Sequence, residues 1–143
     1  MITHLFVYGT LRAETGHPMA EMLRARARPL GRAAIQGRLF DLGAYPGAVS
    51  SEDARDVVHG EMYELELAHA ARTLLALDDY EGYDPADPAG SLFVRHEYPV
   101  HDTPEPAWVY FFNGSTDGAC RIEGGDYLRA LAGRAAPSRS AAH

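Results

Sequence analysis

The sequence predicts an α+β domain: a small, mixed, mostly antiparallel β-barrel flanked by helices. Three observations lead there. Short apolar runs with period-two alternation recur along the chain, each bounded by glycine or proline. Two segments with helical spacing lie among them without regular βαβ alternation. The 143 residues, 46% of them hydrophobic, suffice for one core, and five or six short strands can close on themselves and remove exposed edges.

The elements follow in order. Leu5, Phe6, Val7 and Tyr8 form an uninterrupted apolar run, read as a short buried strand that Gly9 ends. Without a Cβ, Gly9 is expected at positive φ, so that the amides of Gly9, Thr10 and Leu11 line a small anion-binding concavity. On local grounds alone, plain strand-to-loop punctuation is the commoner reading of Gly-Thr there. Pro18 is placed as the first residue of a helix to about Ala27, with Met19, Met22 and Leu23 inward. Arg24, Arg26, Arg28 and Arg32 are read as going around that helix on its solvated surface. Gly37-Arg38-Leu39-Phe40-Asp41-Leu42 and Gly60-Glu61-Met62-Tyr63-Glu64-Leu65 share one pattern and are read as two strands, each opened by a glycine. The Gly43–Gly47 stretch between them is read as loop.

Leu67, Ala70, Ala71, Leu74, Leu75 and Leu77 fit a helix with one apolar face, which Gly82 and Pro85 would end. Leu92–Val100 and Ala107–Phe112 read as two more strands. Gly124-Gly125 is expected as a turn before an N-capped helix from about Asp126 to Leu131. The domain is thus placed at 1–131, with 132–143 a disordered tail.

Charge and cysteine content narrow the function. A formal net charge of −7 and scattered arginines exclude the basic surface that nucleic acid requires. Cys120 is the single cysteine, so no disulfide forms within the chain. No apolar stretch reaches ~18 residues and no signal-peptide layout opens the chain. A cytoplasmic protein that binds neither membrane nor nucleic acid is expected.

The acidic helix end, Asp78-Asp79-Tyr80-Glu81-Gly82-Tyr83, is the second informative segment. Carboxylates crowded at a helix C-terminus meet the negative end of the dipole, and like charges and any burial push a carboxyl pKa upward. Glu81 held there becomes suited to general-base work near neutral pH; an acidic surface turn is the other reading. The remaining motifs are blander. His59-Gly60-Glu61 lacks the cysteine pair of a zinc deaminase, Ser50-Ser51 lies in no nucleophile elbow, and Gly124-Gly125 is no phosphate loop. Tyr110 would reach a ligand if it alternates inward, and Arg95 would hold a carboxylate or pair with an acid.

Taken together, Val7-Tyr8-Gly9-Thr10-Leu11, Leu77-Asp78-Asp79-Tyr80-Glu81-Gly82 and Val109-Tyr110-Phe111-Phe112-Asn113-Gly114 resemble, in that order, the gamma-glutamylcyclotransferase-like (AIG2-like) family. Gly37–Leu42 and the Tyr45-Pro46 loop resemble its second strand and turn. The resemblance implies a compact β-barrel with flanking helices, in which the loop Tyr8, Gly9, Thr10 and Leu11 binds substrate and faces Glu81 as general acid/base. The implied reaction cyclises a γ-glutamyl amide to 5-oxoproline with release of an amine or amino acid. It implies no metal and no organic cofactor. The expected partner is a small γ-glutamyl compound, and the chain is expected as monomer or homodimer. Two other readings remain open: a non-catalytic module that binds a small carboxylate metabolite in the same pocket, and a purely structural dimerising barrel.

Overall fold

In the computed structural model, which describes residues 2–12 and 16–133, a seven-stranded sheet curls into a half-barrel with helices packed on its outside. The strands are β1 (His4–Val7), β2 (Ala27–Asp41), β3 (Pro46–Ser50), β4 (Val57–Leu65), β5 (Phe93–Tyr98), β6 (Ala107–Phe112) and β7 (Cys120–Arg121). The helices are α1 (Pro18–Arg26), α2 (Ala70–Glu81) and a final α3 over 127–133. Along the sheet the order is β3-β2-β4-β1-β6-β5, with β7 added beside β2. Every pair is antiparallel except β1 with β6, which run parallel with Leu5 opposite Trp108.

β1 explains its own apolar run. Phe6 and Tyr8 point to the core inside the curl with Ile35, Leu39 and Val109. Leu5 and Val7 point the other way, to the core beneath α1 and α2 with Leu23, Leu77 and Tyr110. A strand buried on both faces has no polar side to alternate with. The glycines that open the two matching segments answer to close backbone approach. A Cβ on Gly37 would lie 2.7 Å from the carbonyl oxygen of Val49, and one on Gly60 would collide with the carbonyl of Val7.

Four sequence expectations are corrected. β2 starts at Ala27, ten residues before Gly37, because Pro29 and Gly31 are absorbed by a bulge between them in the β2–β4 ladder. The four arginines therefore do not share a helix: Arg24 and Arg26 close α1, while Arg28 and Arg32 lie on β2. Arg28 reaches across the ladder to Glu64 (Nη2 to Oε1, 2.7 Å). Pro46–Ser50 is a strand, so the loop at 43–47 is shorter than expected. The inner face of α2 is Ala70, Thr73, Leu77 and Asp78, whereas Leu67 and Leu75 are exposed. Of the expected tail, 132 and 133 belong to α3, and the rest lies outside the described residues. No helix among the described residues is long and apolar enough to cross a membrane.

Candidate active site

A cavity of about 210 Å³ opens where β1 gives way to its loop. Its walls come from four places: Tyr8–Leu11, the Tyr45-Pro46 turn, the end of α2 at Tyr80 and Glu81, and the β5–β6 pair at Leu92, Phe93 and Tyr110. The loop and Glu81, about 70 residues apart in sequence, meet across it.

Glu81 is the last residue of α2. Gly82 stops the helix there in the left-handed conformation (φ 71°). The amide of Tyr83 donates to the Asp78 carbonyl at 2.8 Å, and that of Gly82 to the Asp79 carbonyl at 3.2 Å, a Schellman stop that only glycine makes without strain. The Glu81 carboxyl is half-buried against the cavity and has no hydrogen bond or ion pair among the described residues. Burial pushes its pKa up from 4.5 to about 7. Of the helix dipole, the neighbouring acids and burial, all of which the sequence offered, burial is the cause. Asp79 points to solvent, and Asp78 is neutralised by Arg95.

The loop departs from expectation at Gly9. Its φ is not positive. Glycine is needed for another reason: a Cβ would stand 2.7 Å from Cγ of Pro46, against the cavity wall. The Arg12 amide donates to the Gly9 carbonyl at 3.0 Å and closes the loop into a turn. The amides of Gly9 and Leu11 make no hydrogen bond among the described residues, and both residues line the cavity. Thr10 ties the loop to α2 through Oγ1, which lies 2.8 Å from the Tyr80 hydroxyl. The Tyr80 hydroxyl also lies 3.3 Å from Nε2 of His17.

The Tyr8 ring lines the cavity, but its hydroxyl serves the fold. It donates to the Tyr110 carbonyl at 2.6 Å and accepts from the Ala48 amide at 3.1 Å. Complete burial pushes its pKa far up, so it stays a neutral phenol. The Tyr110 hydroxyl likewise donates to Oδ1 of Asp78 (2.6 Å). Arg95 pairs with an acid, the alternative its sequence context left open: its Nε and Nη2 reach the two oxygens of Asp78 at 2.8 and 3.0 Å.

Three contributors escaped the sequence. Pro46 and Tyr45 form a wall, because their turn leads straight into β3. Arg12, 4% exposed, anchors the loop from behind through Glu61 Oε2 (3.0 Å) and Asp126 Oδ1 (2.9 Å). Asp78 holds Arg95 and Tyr110; its place one turn before Glu81 on the same face was the available signal. Residues 84–91 do not line the cavity. They are pinned instead, with Asn113 Nδ2 2.9 Å from the Ser91 carbonyl and Ser91 Oγ donating to the Asp87 carbonyl at 2.9 Å. Among the described residues no group of three His, Cys, Asp or Glu side chains is arranged to hold a metal ion.

Residues 5–129 match the gamma-glutamyl cyclotransferase, AIG2-like family, a span that takes in both halves of the cavity. The chain belongs to that family. A Vibrio cholerae protein provisionally named a gamma-glutamylcyclotransferase is 31% identical over 129 residues, 87% of this chain and 95% of its own length. Among solved structures, Escherichia coli ytfP is 34% identical with a TM-score of 0.61, covering 87% of this chain and 96% of that one. A Pyrococcus horikoshii protein shares the fold at 22% identity and a TM-score of 0.66, covering 92% of this chain and 95% of its own. An AIG2-like protein of Mus musculus does so at 22% identity and 0.58, covering 81% of each chain. Members of the family thus share a mixed, curled sheet with flanking helices, and here its cavity holds the loop and Glu81 together.

Proposed function

We propose that this chain cyclises a γ-glutamyl amide to 5-oxoproline, releasing an amine or amino acid, with Glu81 as general acid/base. One observation carries the reading: a carboxyl with no hydrogen bond or ion pair among the described residues, its pKa raised to about 7, shares a small cavity with two loop amides that make no hydrogen bond among them either. A γ-glutamyl amide brings its own nucleophile. Its α-amine and γ-carbonyl are already in one molecule, so ring closure has a high effective molarity and needs no serine or cysteine. What it lacks is a base, because a model α-amine with a pKa near ~8 is mostly protonated at neutral pH.

The steps balance without water. Glu81 takes a proton from the α-ammonium, and the freed nitrogen attacks the γ-carbonyl carbon. The tetrahedral centre collapses as its bond to the departing nitrogen breaks; Glu81 gives that nitrogen its proton, and the second proton, which the new ring nitrogen must lose, passes through Glu81 to the released amine, which leaves as an ammonium. The amides of Gly9, Thr10 and Leu11 orient the substrate through its α-carboxylate, and Tyr8 shapes the wall beneath them. A carboxylate titrating near 7 is matched to both proton transfers, worth roughly 10²–10⁴-fold in rate.

The test is 5-oxoproline release from γ-glutamyl-alanine, γ-glutamyl-ε-lysine, a γ-glutamylamine and glutathione, for wild type and Glu81→Gln. Wild type is expected to turn over at least one of them, with kcat/KM rising through pH 7, while Glu81→Gln binds it and loses roughly 10²–10⁴-fold in kcat. Equal rates in the two proteins would overturn the role of Glu81. No release by either would favour a module that only binds a small carboxylate.

A further inference from the structure

Asp78 is 4% exposed and lies one helical turn before Glu81, on the same face of α2. Three donors converge on it: Arg95 Nε at 2.8 Å, Arg95 Nη2 at 3.0 Å and the Tyr110 hydroxyl at 2.6 Å. Arg95 is itself held flat, its guanidinium 4.4 Å from the centre of the Trp108 ring and 5.7 Å from that of Tyr83. Tyr110 works at both ends. Its hydroxyl fixes α2, and its carbonyl accepts from Tyr8 at the head of the substrate loop (2.6 Å).

The charges matter as much as the contacts. Seen from Glu81, the Asp78 anion and the Arg95 cation cancel. The other groups facing Glu81 are phenols: Tyr8 from the loop, Tyr45 from the turn, Tyr110 from β6 and Tyr80 on its own helix. Behind Tyr80 stands His17, its ring 5.1 Å away. Asp79 and Asp84 are exposed to water. Burial alone then accounts for the upward push on Glu81.

We infer that Asp78, Arg95 and Tyr110 are positioning residues: a charge-neutral clamp that aims Glu81 into the cavity without lending it a charge. The role rests on Glu81 being the base, but its test needs no turnover. Removing one member of a neutral pair unmasks the other. Asp78→Asn leaves a bare cation near Glu81 and favours its ionised form; Arg95→Gln leaves a bare anion and disfavours it.

Carboxyl ¹³C NMR would follow the titration of Glu81, assigned by loss of its signal in Glu81→Gln. The midpoint is expected to fall by about one pH unit in Asp78→Asn and to rise by about one in Arg95→Gln. It should return to the wild-type value in the double variant. Shifts of the same sign, or none in either, would overturn the clamp. Should a single variant fail to fold, the double variant and Tyr110→Phe carry the test. Neither leaves a bare charge, so both are expected to keep the wild-type midpoint, and movement in either would overturn the proposal. Opposite shifts in a protein that turns over nothing would sustain the clamp and remove the reaction. Unmoved midpoints with normal cyclisation would do the reverse.

Discussion

Asp56 and Glu81 are both shielded carboxylates, and the protein treats them in opposite ways. Asp56, just before β4, is saturated: Arg38 Nε and Ser51 Oγ reach its Oδ2 at 2.7 and 2.6 Å, and Arg121 Nη2 reaches Oδ1 at 2.8 Å. Those hydrogen bonds hold its pKa well below the usual carboxylate range. Glu81 receives no donor among the described residues, and burial pushes its pKa up to about 7. Asp56 fastens β2, β4 and β7 where the sheet needs it. Glu81 contributes nothing comparable to the fold and is left ready to exchange a proton. Satisfaction by neighbours, more than burial or cleft location, separates the two acids.

The sharpest way to test that contrast is stability against pH. A carboxyl whose folded pKa (about 7) exceeds its unfolded value (4.5) costs nothing while protonated and destabilises progressively as pH rises between them. Glu81→Gln should therefore stabilise the protein by on the order of 3 kcal/mol at pH 8, and by almost nothing at pH 4. Urea unfolding at both pH values checks this, and equal differences would break the contrast.

A smaller effect comes from making Glu81 resemble Asp56. Leu92 lines the cavity and is 45% exposed, so Leu92→Lys has room to offer a cation. The acid limb of the pH–rate profile should then move down by about one unit, with a slower maximum because the base is weaker. An unmoved limb would mean that Glu81 does not govern it.

The smallest effect on turnover is expected from Asp56→Asn. The stability that Asp56 supplies is present above the usual carboxylate pKa and is lost as pH falls toward its depressed folded value. The variant should melt at a lower temperature than wild type at pH 7, a gap that narrows in acid, with kcat/KM unchanged. A loss of turnover out of step with melting would blur the division between the two acids.

Much of this could be read from residues alone. The Phe6-Val7-Tyr8-Gly9 break placed the loop, and Glu81-Gly82 placed the candidate carboxyl at a helix end, because turn chemistry is local. What escaped depends on distant partners. Gly9 is required by Pro46, a neighbour that only the curl of the sheet supplies. β2 runs through Pro29 and Gly31, residues of poor strand propensity, because β4 pairs with them around a bulge. The six-residue likeness of 37–42 and 60–65 gave two strands in one sheet, but not the backbone crossings that make their glycines necessary. Asp78, Arg95 and Tyr110 looked like one of several helix-end acids, an undecided cation and a phenol that would reach a ligand if it turned inward, since nothing local says that three such residues converge.

The bond from the Tyr8 hydroxyl to the Tyr110 carbonyl spans 102 positions of the chain. Local helices can form early, but this contact waits until β6 has been made and the long loop between its ends has closed, an entropic cost that must be met before the contact exists. During synthesis the N-terminal loop therefore leaves the ribosome well before the strand that completes it. The contacts through which Tyr110 joins the loop to α2 therefore form only once β6 is in place.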